Sequence, residues 1–302
     1  MVTRSIRAAV VQAAAAAFDL EATLDKAARL AGAAAAAGAQ LAVFPEAFIG
    51  GYPKGADFGA RVGQRSEEGR RAFQRYFEAA IEVPGPATDR LGEIAAAHGL
   101  VLIVGVIERD GGTLYCTALY FAADGRLLGK HRKLMPTAME RLIWGCGDGA
   151  TMQAVDTPLG RVGALICWEN YMPLARMALY AQGVALYCAP TVDDRDAWQH
   201  SMRHIAYEGR CFVLAACQYA TRADYPADYQ CAQGNDPKTV LIRGGSAIFD
   251  PFGEVLAGPV YGEETVLAAE LDLGAIARGK YDLDVAGHYA RRDVFDYGVK
   301  GG

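Results

Sequence analysis

The sequence holds 302 residues with a formal net charge of −5, 52% of them hydrophobic and 22% charged. That balance excludes a mainly disordered chain and supplies enough apolar surface for a substantial core. It leaves no basic footprint for nucleic acid, and no apolar run approaches the ~20 residues that a membrane-spanning helix needs.

In chain order, residues 1–5 run directly into a buried strand over residues 6–12, with no apolar leader of the kind a secretory signal carries. Asp19 caps a helix over residues 20–37, alanine-rich in its second half and stopped by Gly38. Residues 41–44 form a second buried strand, ended by Pro45, which cannot donate to a sheet ladder. Thr88 caps another helix running to His98, with Gly99 as its stop. Residues 100–107 and 114–121 make a strand pair joined through Asp110-Gly111-Gly112, a hairpin signal.

The second half repeats this logic. Strands are predicted over residues 163–167, 184–189 and 211–217, with helices over 173–182 and 195–209 between them. Residues 246–249 and 254–256 flank the turn Asp250-Pro251-Phe252-Gly253. Such alternation predicts one mixed-sheet α/β domain over residues 1–273. Residues 274–302, rich in glycine and charge, read as a peripheral tail or one lying at an oligomer contact.

Seven cysteines is an odd number, and none shows Cys-x-x-Cys spacing, so neither a zinc knuckle nor a thioredoxin-like motif is indicated. A reduced, cytoplasmic enzyme is the expectation. Cys188, Cys211 and Cys217 sit in apolar runs and read as small hydrophobes. Cys167 differs: it closes the run Leu165-Ile166-Cys167 and is followed by Trp168-Glu169-Asn170. A nucleophile at a strand-to-helix turn faces backbone N–H groups suited to developing negative charge. A plain buried cysteine fits the same residues.

Three more positions could carry chemistry. Glu46, between Pro45 and Ala47-Phe48, is a carboxylate among apolar neighbours, whose desolvation would raise its pKa toward that of a general base. Lys133 ends the charged run His131-Arg132-Lys133 against Leu134-Met135-Pro136 and could bring positive charge to a site, or belong to a solvated loop. Glu140, seven residues on, could order that lysine or merely pair with Arg141. Tyr52, Trp168 and Thr191 are candidate substrate contacts from their places beside these segments, and Trp144 is a further one. His200 and His204 have metal-pair spacing, but Ser201 stands where the glutamate of His-Glu-x-x-His belongs, so no metal site is expected.

Five segments together resemble the nitrilase branch of the carbon–nitrogen hydrolase superfamily, over residues 6–295. They are FPEAFIGGYPKG (44–55), HRKLMPTAMERLIWGCGDG (131–149), GALICWENYMPLARMALYAQG (163–183), DDRDAWQHSMRHIAYEGRCFV (193–213) and GHYARRDVF from Gly287. The resemblance implies Glu46 as general base, Lys133 as cationic stabiliser, Cys167 as nucleophile and Glu140 as the second glutamate that supports the lysine. It further implies hydrolysis of a small-molecule nitrile to acid and ammonia with no metal or organic cofactor. The fold it implies is α/β, a four-layer αββα sandwich formed when two subunits pack helices against helices. Assembly into a homodimer or larger homo-oligomer follows, with spiral filaments in many relatives. Two departures stand out: Ala138-Met139 where an aromatic or histidine is common, and Arg292 where proline is usual. An amidase using the same four residues is one alternative, a cyanide-degrading or nitrile-hydrating relative a closer one, and a non-catalytic scaffold the most distant.

Overall fold

The structure, a computed structural model, describes residues 5–300; residues 1–4 of the expected lead-in to the first strand, and residues 301–302, lie outside it. The first half contains β1 (Ser5–Gln12), β2 (Leu41–Val43), β3 (Val101–Asp110), β4 (Thr113–Phe121) and β5 (Leu127–Arg132). The second half adds β6 (Val155–Thr157), β7 (Gly160–Ala164), β8 (Leu186–Thr191) and β9 (Phe212–Cys217). Then come β10 (Tyr219–Thr221), β11 (Val240–Phe249), β12 (Val255–Tyr261) and β13 (Thr265–Asp272). The helices are α1 (Leu20–Ala36), α2 (Glu67–Ala79), α3 (Pro86–His98), α4 (Pro173–Ala181), α5 (Asp196–Gly209) and α6 (Gly274–Asp282).

One sheet runs in the order β13-β1-β2-β3-β4-β5, and the other runs β10-β11-β9-β8-β7-β6 with β12 paired to β11. Each is mixed: β1, β2 and β3 are parallel, as are β7, β8 and β9, with antiparallel strands at both flanks. Side chains alternate across β1 as strand geometry requires. Ile6, Ala8 and Val10 enter the core between the sheets, whereas Ala9 and Val11 face α1 and α3. On the second sheet, Leu186, Cys188, Leu214 and Ala216 point inward; Tyr187, Ala189, Val213 and Ala215 meet α4 and α5. All four layers of the αββα sandwich therefore lie within a single chain. The expectation that two subunits are needed to form them is corrected: each sheet already has a helical layer on its outer face.

Gln12 joins the sheets. Fully buried at the end of β1, its Oε1 accepts from the N–H groups of Gly245 (2.9 Å) and Ser246 (2.8 Å) on β11, and its Nε2 donates to Glu263 O at 3.0 Å.

Local predictions are borne out in part. Asp19 caps α1, its carboxylate accepting from Ala22 N–H, and Gly99 ends α3 in the left-handed region at φ 62°. Thr88 is not the cap of α3. The helix begins at Pro86 after Gly85, and Thr88 reaches back from the third position to accept from Gly85 N–H at 2.8 Å. Proline suits that first turn because it lacks the N–H that would go unpaired there. Strand β7 stops at Ala164, three residues before Cys167, which opens a 3-10 turn. Residues 274–300 are not shapeless: they begin as α6, and Val285, Ala286, Tyr297 and Val299 pack on the α4 side of the second sheet.

Candidate active site

Two segments deliver Glu46 and Lys133 to the site from the first sheet. After β2 the chain turns through Phe44-Pro45-Glu46-Ala47, with Phe44 N–H still bonded to Ile103 O and Ile49 N–H to Gly105 O. Glu46 is thereby laid against β3. Gly105 makes this approach possible, because a Cβ there would sit 2.2 Å from Pro45 O and 2.7 Å from Glu46 Cα. Gln218 Nε2 fixes the same turn by donating to Glu46 O at 2.8 Å. Lys133 follows β5, held by its N–H to Cys116 O on β4 and by Gly147 N–H to its own carbonyl.

The Lys133 ammonium is fully buried and lies between two carboxylates, 2.6 Å from Glu46 Oε1 and 2.8 Å from Glu140 Oε2. The indole of Trp144 stands over it at 5.5 Å. Glu140 belongs to the 3-10 turn Ala138–Leu142 and accepts three bonds: Lys133 Nζ and Thr137 N–H on Oε2, Tyr52 OH on Oε1 at 2.9 Å. Its alternative partner Arg141 instead donates to Ala138 O.

Cys167 comes from the second sheet. It is 3% exposed and adopts φ 51°, a left-handed conformation that a side chain with a Cβ rarely takes. Asn170 holds the turn by donating to Leu165 O and Cys167 O, both at 2.8 Å, and accepts from Tyr187 OH. Thr191, at the end of β8, places its Oγ1 3.2 Å from Cys167 Sγ.

The carbon–nitrogen hydrolase profile matches residues 7–281. The chain belongs to the carbon–nitrogen hydrolase family. It is 61% identical to an aliphatic nitrilase of Sinorhizobium fredii (strain HH103), over 96% of this chain and 94% of that one. It is 56% identical to the bifunctional nitrilase/nitrile hydratase NIT4A of Lupinus angustifolius, covering 98% and 86%. Its fold matches the carbon–nitrogen hydrolase of Helicobacter pylori G27 with a TM-score of 0.72 at 20% identity, covering 95% and 98%.

Burial decides the electrostatics of this hydrolase's site. It pushes the Glu46 carboxyl up, against the opposing pull of the Lys133 ammonium. It also pushes the Cys167 thiol well up, and the Glu46 charge adds to that rise. The resting sulfur is therefore a thiol beside a carboxylate of raised basicity. Burial alone would push Lys133 down, but Glu46, Cys167, Cys116 and Glu140 override it and hold the ammonium well above the ordinary lysine value. Tyr52 is held well up by burial and by Glu140, so it stays a neutral donor.

The expected substrate contacts acquire other partners. Tyr52 donates to Glu140, Thr191 lies against the nucleophile, and Trp168 is 41% exposed at the rim, its Nε1 donating to Asp193 Oδ2 at 2.9 Å. Trp144, over Lys133, is nearer the charged centre. His200 and His204 are both on the exposed face of α5, and among the described residues no group of His, Cys, Asp and Glu could hold a metal ion.

Three residues near the site were missed. Glu169 accepts from Ile166 N–H (2.7 Å) and Leu134 N–H (2.6 Å), and His131 Nε2 lies 3.0 Å from it. One carboxylate thus ties the residue before Cys167 to the residue after Lys133. Glu169, two after Cys167, offered a signal as a carboxylate among apolar and aromatic residues, whereas His131, two before Lys133, is masked by the charged run Lys130-His131-Arg132-Lys133. Cys116, whose Sγ is 3.5 Å from Glu46 Oε1, carried no such signal in the strand Tyr115-Cys116-Thr117.

Proposed function

We propose that this chain is a nitrilase, converting an organic nitrile to the carboxylic acid and ammonia through a covalent intermediate on Cys167. The observation that carries the reading is the buried Lys133 ammonium between two carboxylates, electrostatically coupled to Cys167, the one cysteine among the described residues with a left-handed backbone. Relatives 54–61% identical over nearly the whole chain and named nitrilases supply the substrate class.

Glu46 takes the Cys167 proton as sulfur bonds to the nitrile carbon, since the thiolate is the nucleophile. The nitrile nitrogen gains negative charge, which Lys133 meets with a donor that needs no reorganisation in a water-poor site. Glu46 passes the proton it took from Cys167 to that nitrogen, which gives the thioimidate and returns Glu46 to its carboxylate. Glu46 then removes a proton from water as its oxygen adds to the same carbon. The carbon–nitrogen bond breaks as Glu46 returns the water proton to nitrogen, which takes its last hydrogen from the new hydroxyl and leaves as ammonia, and a thioester remains. A second water, activated in the same way, releases the acid and returns the thiol. Glu140 and Tyr52 keep Lys133 aimed and charged throughout.

A panel of nitriles, each run beside its matching amide with ammonia, amide and acid measured, tests the reading. Acid from nitriles with amides left untouched is expected. Acid formed from amides alone would replace it with the amidase reading, and amide as main product would assign nitrile hydration.

The chain is further proposed to be a homo-oligomer in a reducing, cytoplasmic setting. The seven unpaired cysteines support the compartment. Leu174 on α4, with Tyr289, Val294 and Phe295 of the tail, is more than half exposed; this apolar face supports a subunit contact there. Sedimentation velocity of the wild type and of Leu174→Glu checks it, a smaller species being expected for the variant.

A further inference from the structure

We propose that Thr191 is a catalytic hydrogen-bond donor, its hydroxyl hydrogen directed at Cys167 Sγ so that the attacking thiolate is stabilised as it forms. The inference rests on the reading of Cys167 as the attacking atom and on nothing about the substrate.

A hydroxyl has one hydrogen to give and lone pairs to receive. Thr191 Oγ1, fully buried, has two partners among the described residues: Asp193 N–H at 2.9 Å and Cys167 Sγ at 3.2 Å. The amide of Asp193 can only donate, so it occupies a lone pair. That leaves the hydroxyl hydrogen for the sulfur. Sulfur accepts weakly as a thiol and strongly as a thiolate, because hydrogen bonds to charged acceptors are about twice as strong as neutral ones. The interaction therefore grows along the reaction rather than holding the resting state.

The donor is also fixed in place from the nucleophile's own side. Asp193 is 8% exposed, and its carboxylate accepts from Trp168 Nε1 at 2.9 Å and from Arg195 at 2.8 and 2.6 Å. Arg195 in turn stacks over the Trp168 ring at 4.8 Å. The residue after Cys167 is thus tied to the residue two beyond Thr191. A closed ring of contacts runs from sulfur through Thr191, Asp193 and Trp168 back to Cys167. A threonine that merely filled space would need neither the ring nor an occupied lone pair.

The titratable and charged groups that face Cys167 are Glu46 after β2, Tyr52, Lys133 after β5, Glu140, Tyr171, Asp193, Arg195 and Cys217 at the end of β9. All remain in Thr191→Val, which replaces only the hydroxyl by a methyl of similar size. Losing a donor to the thiolate disfavours the charged form, so the thiol loses its proton at higher pH.

The test is the pH dependence of iodoacetamide alkylation at Cys167, followed by peptide mass spectrometry on the intact enzyme. In Thr191→Val the midpoint moves up by about one pH unit, with roughly tenfold slower alkylation on the acid side and convergence at high pH. Thr191→Ser restores the wild-type profile, and kcat for nitriles follows the same order. Thr191→Ala carries the comparison if valine prevents folding, which circular dichroism reveals. A wild-type midpoint in a folded Val or Ala variant overturns the proposal, as does a serine variant that behaves like valine. Alkylation needs no nitrile: a wild type inert toward nitriles with the shift present would sink the nitrilase reading and leave this one standing.

Discussion

Glu46 divides its two oxygens. Oε1 faces Lys133 and Cys116, whereas Oε2 has no hydrogen-bond partner among the described residues and is left to accept a proton. Because burial raises this carboxyl, kcat/KM should fall as pH drops through a value above the ordinary glutamate range, and Glu46→Gln should lose roughly 10²–10⁴ in kcat at every pH. A pH–rate profile of the two proteins checks both; an acid limb at or below the ordinary glutamate value would contradict the burial argument. Gly105 offers a test that removes no polar group. Its substitution by alanine must push Pro45 and Glu46 away from β3 by more than half an ångström, and a displacement of that order costs up to ~100-fold in rate. Gly105→Ala should therefore fold, as circular dichroism would show, and turn over nitrile at least about tenfold more slowly.

At the scale of elements, the joint between β5 and the nucleophile turn is the His131–Glu169 pair. His131 Nδ1 faces Thr151 O and Nε2 faces the Glu169 carboxylate, both acceptors, so only the doubly protonated ring satisfies both. Burial alone would push His131 down, and Glu169 overrides it, leaving the imidazole raised above its usual 6.5. A raised folded value means the pair stabilises the protein fully below the unfolded value and loses that contribution as pH climbs through the folded one. The melting-temperature gap between wild type and His131→Gln should be widest near pH 6 and narrow steadily toward pH 9. A gap that does not change with pH would show the ring to be neutral in the folded protein. What could be read from the sequence divides along similar lines. Helix α1 was legible because Asp19, its apolar spacing and Gly38 all agree, and the β3–β4 hairpin because Gly111-Gly112 separates two apolar runs. Helix α2 was missed: only Gly69, Tyr76 and Ala79 of its thirteen residues are buried, so its polar sequence resembles a loop. Strand β5, Leu-Leu-Gly-Lys-His-Arg, hides in charge because its arginine, lysine and histidine find acid partners only after folding.

For the molecule as a whole, what no local pattern could disclose is how distant strands meet. β13 closes the first sheet by pairing with β1, as in Ser5 with Asp272, and Glu46 and Cys167 come from opposite sheets. Motif resemblance located Glu46, Lys133, Glu140 and Cys167, but the roles of Glu169 and Gln218 depend on contacts between those sheets, and that of Thr191 on β8 lying beside β7. Gln12 is a polar link that registers one sheet on the other, as is Tyr120 on β4, whose OH accepts from Ala164 N–H on β7. Gln12→Leu would leave the buried N–H groups of Gly245 and Ser246 unpaired, at about 1–3 kcal/mol each. Its urea midpoint should fall by an amount corresponding to about 2–5 kcal/mol, with the nitrile KM and kcat shifting together as the sheets lose register. A midpoint within error of wild type would mean water takes over those bonds.

The left-handed backbone at Cys167 has a consequence for durability. Holding any residue with a Cβ at φ 51° costs on the order of 1 kcal/mol or more, whereas glycine visits that region freely. Backbone strain is thus stored at the proposed attacking residue, and an inert Cys167→Gly protein should survive heating better than Cys167→Ala. Thermostabilising selection carried out without an activity screen would reward disarming this position.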